Sequence, residues 1–211
     1  MFSLCADGKK PCKIFSVTSA NPNEGKSTTV SNIAISFAML GKKTLIIDAD
    51  MRKPKISSLW GIKTSYGLSD MLAQVNPCTI YKVEELPLSI MCTGNIPPNP
   101  SELLSSANMV KFLKFIRDEF DYIIIDTPPI NTVADAQIIS RLVDGTIVIV
   151  KSGETKANEL TLALNMLEQA GGNISGIVLN GMDNKFSKYS YRYKYKYGYY
   201  KNYSYNYERK Q

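Results

Sequence analysis

The chain contains no histidine. That absence excludes a histidine metal site and a histidine general base, so any acid–base chemistry falls to carboxylates, lysine or tyrosine. Its four cysteines, Cys5, Cys12, Cys78 and Cys92, form no Cys-x-x-Cys pair. A thiolate zinc site or a paired redox motif therefore has no sequence support, and the four read as reduced thiols of a cytosolic protein. No apolar run approaches the roughly 18 residues that a membrane span needs, and no secretory leader is recognisable. The chain from Lys185 onward has almost no aliphatic residues and cannot bury a core of its own.

What that segment has instead is tyrosine. Ten of the nineteen residues from Tyr189 to Tyr207 are of this type: Tyr189, Tyr191, Tyr193, Tyr195, Tyr197, Tyr199, Tyr200, Tyr203, Tyr205 and Tyr207. Lys188, Arg192, Lys194, Lys196 and Lys201 fill the gaps. From Lys185 to the end there are eight basic residues and one acid, a net of +7, which leaves 17 basic and 18 acidic residues in the remainder. The overall charge of +6 thus belongs to the tail, and the body presents no basic face for nucleic acid. With 211 residues, the chain divides into one globular domain over 1–184 and a disordered, tyrosine-rich basic tail over 185–211.

The body alternates β-rich runs with helical patterns. Strands are predicted at Ile14–Thr18, Thr44–Asp48, Leu88–Thr93, Tyr122–Asp126, Gly145–Lys151 and Ile174–Asn180. Helices are predicted at Ser27–Leu40, stopped by Gly41, at Gly67–Gln74, from Asn99 toward Phe120, at Ala134–Val143 and at Lys156–Ala170. Asn99-Pro100-Ser101-Glu102 reads as a helix start, with Asn as cap, Pro first and Glu third. Continuous β-branched strands between helices predict an α/β fold, a doubly wound, mainly parallel sheet covered on both faces.

Asn23-Glu24-Gly25-Lys26-Ser27-Thr28 follows the first strand and opens the first helix, the setting of a phosphate-binding Walker A loop. Backbone N–H groups at the helix start would cradle phosphates, Lys26 would reach the outer ones and the Ser27 hydroxyl would bind Mg²⁺. Ala20 stands where the pattern usually has its first glycine. Leu45-Ile46-Ile47-Asp48-Ala49-Asp50-Met51-Arg52 places two acids at the carboxyl end of the next strand. Ile123-Ile124-Ile125-Asp126-Thr127-Pro128-Pro129 is a Walker B form. Any one of these acids alone could be an ordinary strand-end cap. Three acids beside one phosphate loop are what Mg²⁺-dependent phosphoryl transfer requires. A phosphate donor site and an array of tyrosine acceptors on one chain predict an enzyme that phosphorylates tyrosine, beginning with its own tail.

With these motifs, with Gly94-Asn95-Ile96-Pro97-Pro98-Asn99-Pro100-Ser101-Glu102-Leu103-Leu104 and with the tyrosine cluster, nearly the whole chain resembles the bacterial tyrosine kinases (BY-kinases) of capsule and exopolysaccharide synthesis. The resemblance implies a P-loop NTPase fold with ATP and Mg²⁺ as cofactors. Asn23 to Thr28 would bind ATP, and Ser27, Asp50 and Asp126 would hold the metal directly or through water. Asp48 would lie near the γ-phosphate and could accept the tyrosine proton. Arg52 is implied either to orient the acids or to meet a neighbour's tail. Asn180 matches the position where related ATPases hold adenine, and reads equally well as an Asn ending a strand.

The resemblance also implies trans-phosphorylation between copies, a membrane-bound activator of the polysaccharide co-polymerase type, and a phosphotyrosine phosphatase. It places the chain in the cytoplasm, recruited to the inner face of the plasma membrane. The family's Glu-x-x-Arg-x-x-Arg assembly helix has no match before Ile14, and Met1-Phe2-Ser3 looks like the middle of that region, so poor ring assembly is expected of the chain as given. The alternative function is a non-kinase deviant-Walker ATPase that positions a cargo by nucleotide-dependent dimerisation. Its lysine early in the loop is Asn21 here, which argues against it. As a third reading, the Tyr/Lys tract alone could serve as a tail that binds single-stranded nucleic acid or an anionic membrane.

Overall fold

The computed structural model describes residues 12–64, 66–75 and 78–182. The acceptors read in the tail, Tyr189, Tyr191, Tyr193, Tyr195, Tyr197, Tyr199, Tyr200, Tyr203, Tyr205 and Tyr207, all lie outside the described residues. So do the boundary read near 184 and the first eleven residues.

The alternation read from the sequence folds as a seven-stranded sheet. In chain order its strands are β1 (Lys13–Ser19), β2 (Thr44–Asp48), β3 (Ile80–Lys82), β4 (Leu88–Met91), β5 (Tyr122–Asp126), β6 (Gly145–Lys151) and β7 (Ile174–Asn180). The spatial order is β3-β4-β2-β5-β1-β6-β7, and only β3 runs antiparallel to its neighbour. All five residues of β2 are buried. Its alternate side chains serve two cores, with Leu45 and Ile47 on one face and Ile46 on the other, and Ile123, Ile125 and Ile124 of β5 divide the same way. Burial on both faces is why these strands read as unbroken apolar runs.

One face is covered by α1 (Lys26–Met39), through Val30, Ala34 and Ala38. On the other face α5 (Ala107–Ile116) buries Met109, Phe112, Leu113 and Ile116. Each such side chain contributes about 1.5–3 kcal/mol when fully removed from water. The helix read from Asn99 toward Phe120 is in fact two, α4 (Pro100–Leu104) and α5. Between them Ser106 adopts extended backbone and its hydroxyl accepts from the Met109 N–H at 3.3 Å, so a serine cap interrupts what periodicity joined. Asn99 does not cap α4 through its side chain; its amide bonds Glu102 instead.

Two short elements escaped the reading, α2 (Ile56–Leu59) and β3. Four- and three-residue segments carry too little periodicity to be seen. The remaining helices are α3 (Leu68–Leu72), α6 (Asp135–Ser140) and α7 (Ala157–Gln169). Among the described residues, no helix is long and apolar enough to cross a membrane.

Candidate nucleotide site

The carboxyl ends of β1, β2 and β5 meet at one edge of the sheet, where an open α/β fold binds its ligands. From β1 the chain turns through residues 20–25 into α1. Gly25 takes φ +91°, and Asn23 takes the left-handed φ of 63° that asparagine tolerates. No side chain caps α1, so its first N–H groups remain available to an anion, with the helix dipole behind them. Ala20 is fully buried against Ile130, Ala136 and Val148, and its φ is not positive. Alanine in place of the usual glycine therefore imposes no backbone strain.

The loop is braced from inside. The Glu24 carboxylate is buried, accepts the Asn21 N–H at 3.0 Å and takes a hydrogen bond from the Thr155 hydroxyl. The Asn21 amide donates to Glu159 at the start of α7, at 2.8 Å. The Asn180 amide donates to the Glu24 carbonyl at 3.0 Å, while its oxygen accepts from the Gly181 N–H. Both polar ends of Asn180 are thus engaged, and the end of β7 is tied to the loop. Thr28 is exposed on the first turn of α1.

Lys26 is buried, and burial is the main reason its ammonium loses its proton more readily than usual. Asp126, Asp50 and Glu24 oppose that shift. Asp48 and Asp126 are register partners at the ends of adjacent parallel strands, so their carboxyl groups emerge side by side. Both are almost wholly inaccessible to water. Burial, reinforced by Asp50, raises the Asp48 carboxyl to about 7. Burial and the neighbouring Asp48 raise Asp126 to about 8.

The two acids differ in their surroundings. Asp48 accepts backbone N–H groups from Asp50 at 3.2 Å, Lys55 at 3.1 Å and Ile56 at 3.0 Å. Neither oxygen of Asp126 has a partner of ordinary hydrogen-bond geometry, although the half-buried Ser27 hydroxyl is near enough to favour its charged form. A buried carboxylate with both oxygens orphaned next to a serine hydroxyl suits a hard divalent cation. Among the described residues no three acidic or cysteine side chains converge as a metal cage. A magnesium ion, which keeps several waters and needs only one or two carboxylates, fits that donor set.

Asp50 shapes the turn after β2. Its Oδ1 accepts the Arg52 N–H at 3.3 Å and the Lys53 N–H at 3.0 Å. The Arg52 guanidinium forms no hydrogen bond or ion pair with the three acids, although Asp50 is close enough to favour its charge. It grips Asp135 of α6 through Nε at 2.8 Å and Nη2 at 3.2 Å, and Ser101 of α4 at 3.1 Å. Asp135, Ser101, Thr155, Glu159 and Lys55 are the parts of this site that sequence reading missed. Each comes from a distant segment or stands outside the motif, and the one sequence hint was Ser101 inside the Pro-rich stretch after β4.

Residues 11–203 match the family model described as ParA: NUBPL iron-transfer P-loop NTPase. The chain is 39% identical over 178 residues to tyrosine-protein kinase YwqD of Bacillus subtilis (strain 168), covering 83% of this chain and 75% of that one. It is 37% identical over 193 residues to the putative tyrosine-protein kinase CapB of Staphylococcus aureus, covering 89% and 84%. Among solved structures, the kinase domain of Escherichia coli tyrosine kinase ETK superposes with a TM-score of 0.79 at 35% identity, over 83% of this chain and 69% of that one. The chimerical protein CapA2B2 gives 0.78 at 34%, over 83% and 79%. The septum site-determining protein MinD of Pyrococcus horikoshii, complexed with Mg-ADP, gives 0.67 at 21% over 80% and 70%, a likeness of fold alone.

Proposed function

The chain belongs to the bacterial tyrosine-protein kinases, within the ParA group of P-loop NTPases, and from that premise we propose that it transfers the terminal phosphoryl group of ATP to the tyrosines of its own C-terminal segment, with Mg²⁺ as its metal, in the control of capsular or exopolysaccharide synthesis. The observation that carries the site assignment is the orphaned, buried Asp126 carboxylate standing beside Ser27 and Lys26 on an uncapped helix start. Residues 1–184 form the catalytic domain and 185–211 the acceptor tail in this reading. The acceptors are Tyr189, Tyr191, Tyr193, Tyr195, Tyr197, Tyr199, Tyr200, Tyr203, Tyr205 and Tyr207, supported by their density in the sequence.

Ser27, Asp50 and Asp126 would hold the ion, directly or through water, and the ion would supply charge neutralisation for the phosphates. Lys26 contributes a desolvated positive charge, worth more in this buried setting than in water. Asp48 takes the proton of the attacking tyrosine. Its raised pKa matches that role near neutrality, and three backbone N–H groups fix its orientation. We assign Asn180 to bracing the loop through Glu24. Arg52 acts through Asp135 by holding the turn that carries Asp50. The activator is a membrane-bound protein of the polysaccharide co-polymerase type, and a phosphotyrosine phosphatase resets the tail.

The test is phosphotyrosine mass spectrometry of the chain after incubation with Mg·ATP, alone and with an activator peptide. Accumulation at Tyr189 to Tyr207 is expected. Hydrolysis of ATP with no phosphotyrosine under either condition would favour the cargo-positioning ATPase instead.

A further inference from the structure

We propose that Lys55 is a second phosphate-binding cation of this site, contacting the terminal phosphate of a bound nucleoside triphosphate and separating triphosphate from diphosphate. The inference rests on the nucleotide-site reading above.

Lys55 lies just before α2, outside all three phosphate-site motifs, yet it is built into the site at both ends. Its backbone N–H donates to Asp48 Oδ2 at 3.1 Å, next to the bond from Ile56. The main chain at residue 55 is therefore pinned to the acid assigned as proton acceptor. Its side chain runs to the phosphate loop, where Nζ lies 3.2 Å from Asn23 Oδ1. Asn23 is exposed and left-handed, two residues before Gly25. The side chain of Lys55 thus spans from the Asp48 turn to the loop.

The electrostatics of that position are unfavourable until an anion arrives. Lys55 adds to the effects that loosen the proton on Lys26. Among the described residues Lys55 forms no ion pair; the three that exist use Arg52, Arg117 and Lys151. Its partner is a neutral amide oxygen on the exposed side of the loop. The nearby acids are engaged by the main chain on the oxygens named here. Asp48 Oδ2 is saturated by two backbone donors, and Asp50 Oδ1 by two more. Lys55 and Lys26 act on one another as like charges, and a phosphate bound by both would offset that repulsion. A phosphate oxygen also carries negative charge that the neutral Asn23 amide lacks, so the ammonium gains Coulombic attraction when it exchanges one for the other.

Selectivity follows from the anchoring to Asp48. Lys26 and the helix start serve any nucleotide with a β-phosphate. A cation tethered to the residue that receives the tyrosine proton serves the phosphate that is transferred. In that transfer the tyrosine oxygen bonds to the terminal phosphorus, the bond from phosphorus to the bridging oxygen breaks, and the diphosphate leaves with the electron pair. Lys55 would balance the negative charge on the transferred group throughout.

The experiment is isothermal calorimetry on the full chain and on Lys55→Met and Lys55→Arg, titrated with Mg·ADP and with a non-hydrolysable Mg·ATP analogue. Lys55→Met is expected to bind the triphosphate about tenfold more weakly, roughly 1.4 kcal/mol, and the diphosphate within about twofold of wild type. Lys55→Arg should recover most of the triphosphate affinity. Because Lys55 is exposed, the melting temperature of both variants should match wild type, which excludes a folding defect as the cause. Equal losses for both nucleotides, or no loss for either, would overturn the assignment while leaving the nucleotide site in place. Wild-type protein that binds neither nucleotide would overturn the site reading itself and the assignment with it.

Discussion

The side-chain nitrogen of Asn180 occupies the space beside Gly25 where a Cβ would stand, 2.1 Å from that position. The same nitrogen donates to the carbonyl of Glu24. The end of the last strand and the hinge of the phosphate loop are therefore packed so closely that only glycine fits between them.

Gly25→Ala should disable nucleotide binding with a modest cost to the fold. An L-residue at φ +91° costs about 1–2 kcal/mol, and the added methyl must also displace the Asn180 amide. The penalty falls on the loop, so calorimetry with Mg·ADP should show at least about a tenfold loss of affinity. The melting temperature should fall by only a few degrees, since about 1 kcal/mol is worth roughly 2–4 °C in a domain of this size. Unchanged affinity would mean that the loop tolerates another conformation.

Lys26→Met should reduce tail phosphorylation by at least about a hundredfold, the scale of losing one preorganised charge-stabilising group. Methionine fills similar volume in the same buried position, and circular dichroism should show the fold retained. Persistent phosphotyrosine in the purified variant would place the kinase site elsewhere.

Asp126→Asn should stabilise the nucleotide-free protein, and more so at high pH. The folded carboxyl titrates near 8 rather than at its ordinary value near 4, because burial and Asp48 disfavour its charge. Between those two values the unfolded chain has released a proton that the folded one retains, so wild-type stability declines as pH rises from about 4 to about 8. The variant lacks this group's share of the slope. Melting curves at pH 5 and pH 9, without metal or nucleotide, should show a gain at pH 9 and little difference at pH 5. A gain of the same size at both would show that Asp126 is charged in the folded protein throughout.

Arg52→Ala should destabilise the fold more than Asp135→Ala. The Asp135 carboxylate is wholly buried, and losing the guanidinium leaves it with the Ser101 hydroxyl alone, a cost of about 3–5 kcal/mol. Removing the acid instead leaves an arginine that is 40% exposed and can turn to water. That loss should be nearer 1–3 kcal/mol. Urea unfolding of both variants measures the difference, and equal losses would mean that Asp135 is protonated once Arg52 is gone.

Thr44–Asp48 and Tyr122–Asp126 were legible because burial on both faces writes an unbroken β-branched run, whereas the edge strand Ile174–Asn180, none of whose residues is fully buried, was legible from its β-branched residues and the glycines before it. Thr44–Asp48, Tyr122–Asp126, Gly145–Lys151 and Ile174–Asn180 have the bounds that their residues predict. Gly41, at φ +74°, follows α1 as a helix-stopping glycine should. Elements too short to establish a periodicity, α2 and β3, left no such trace. The break at Ser106 was invisible for a different reason: the apolar spacing continues across it, and a cap is decided by backbone angles that spacing does not record.

The sequence by itself determined the chemistry on offer. With no histidine, acid–base chemistry falls to carboxylates, lysine or tyrosine, and the local order strand–loop–helix places Lys26, Ser27 and the three strand-end acids at one sheet edge. Tertiary structure alone decided which acid is free and which is occupied. Asp48 and Asp126 look alike in the sequence, yet one is saturated by backbone donors and the other faces the loop with both oxygens unpaired. It also decided that Arg52 answers to Asp135, 83 residues away, and that Lys55 comes to the phosphate loop. Spacing along the chain fixes which side chains share a face of one element. Contacts between elements depend on how the sheet orders its strands, and that order is set by the packing of the whole core.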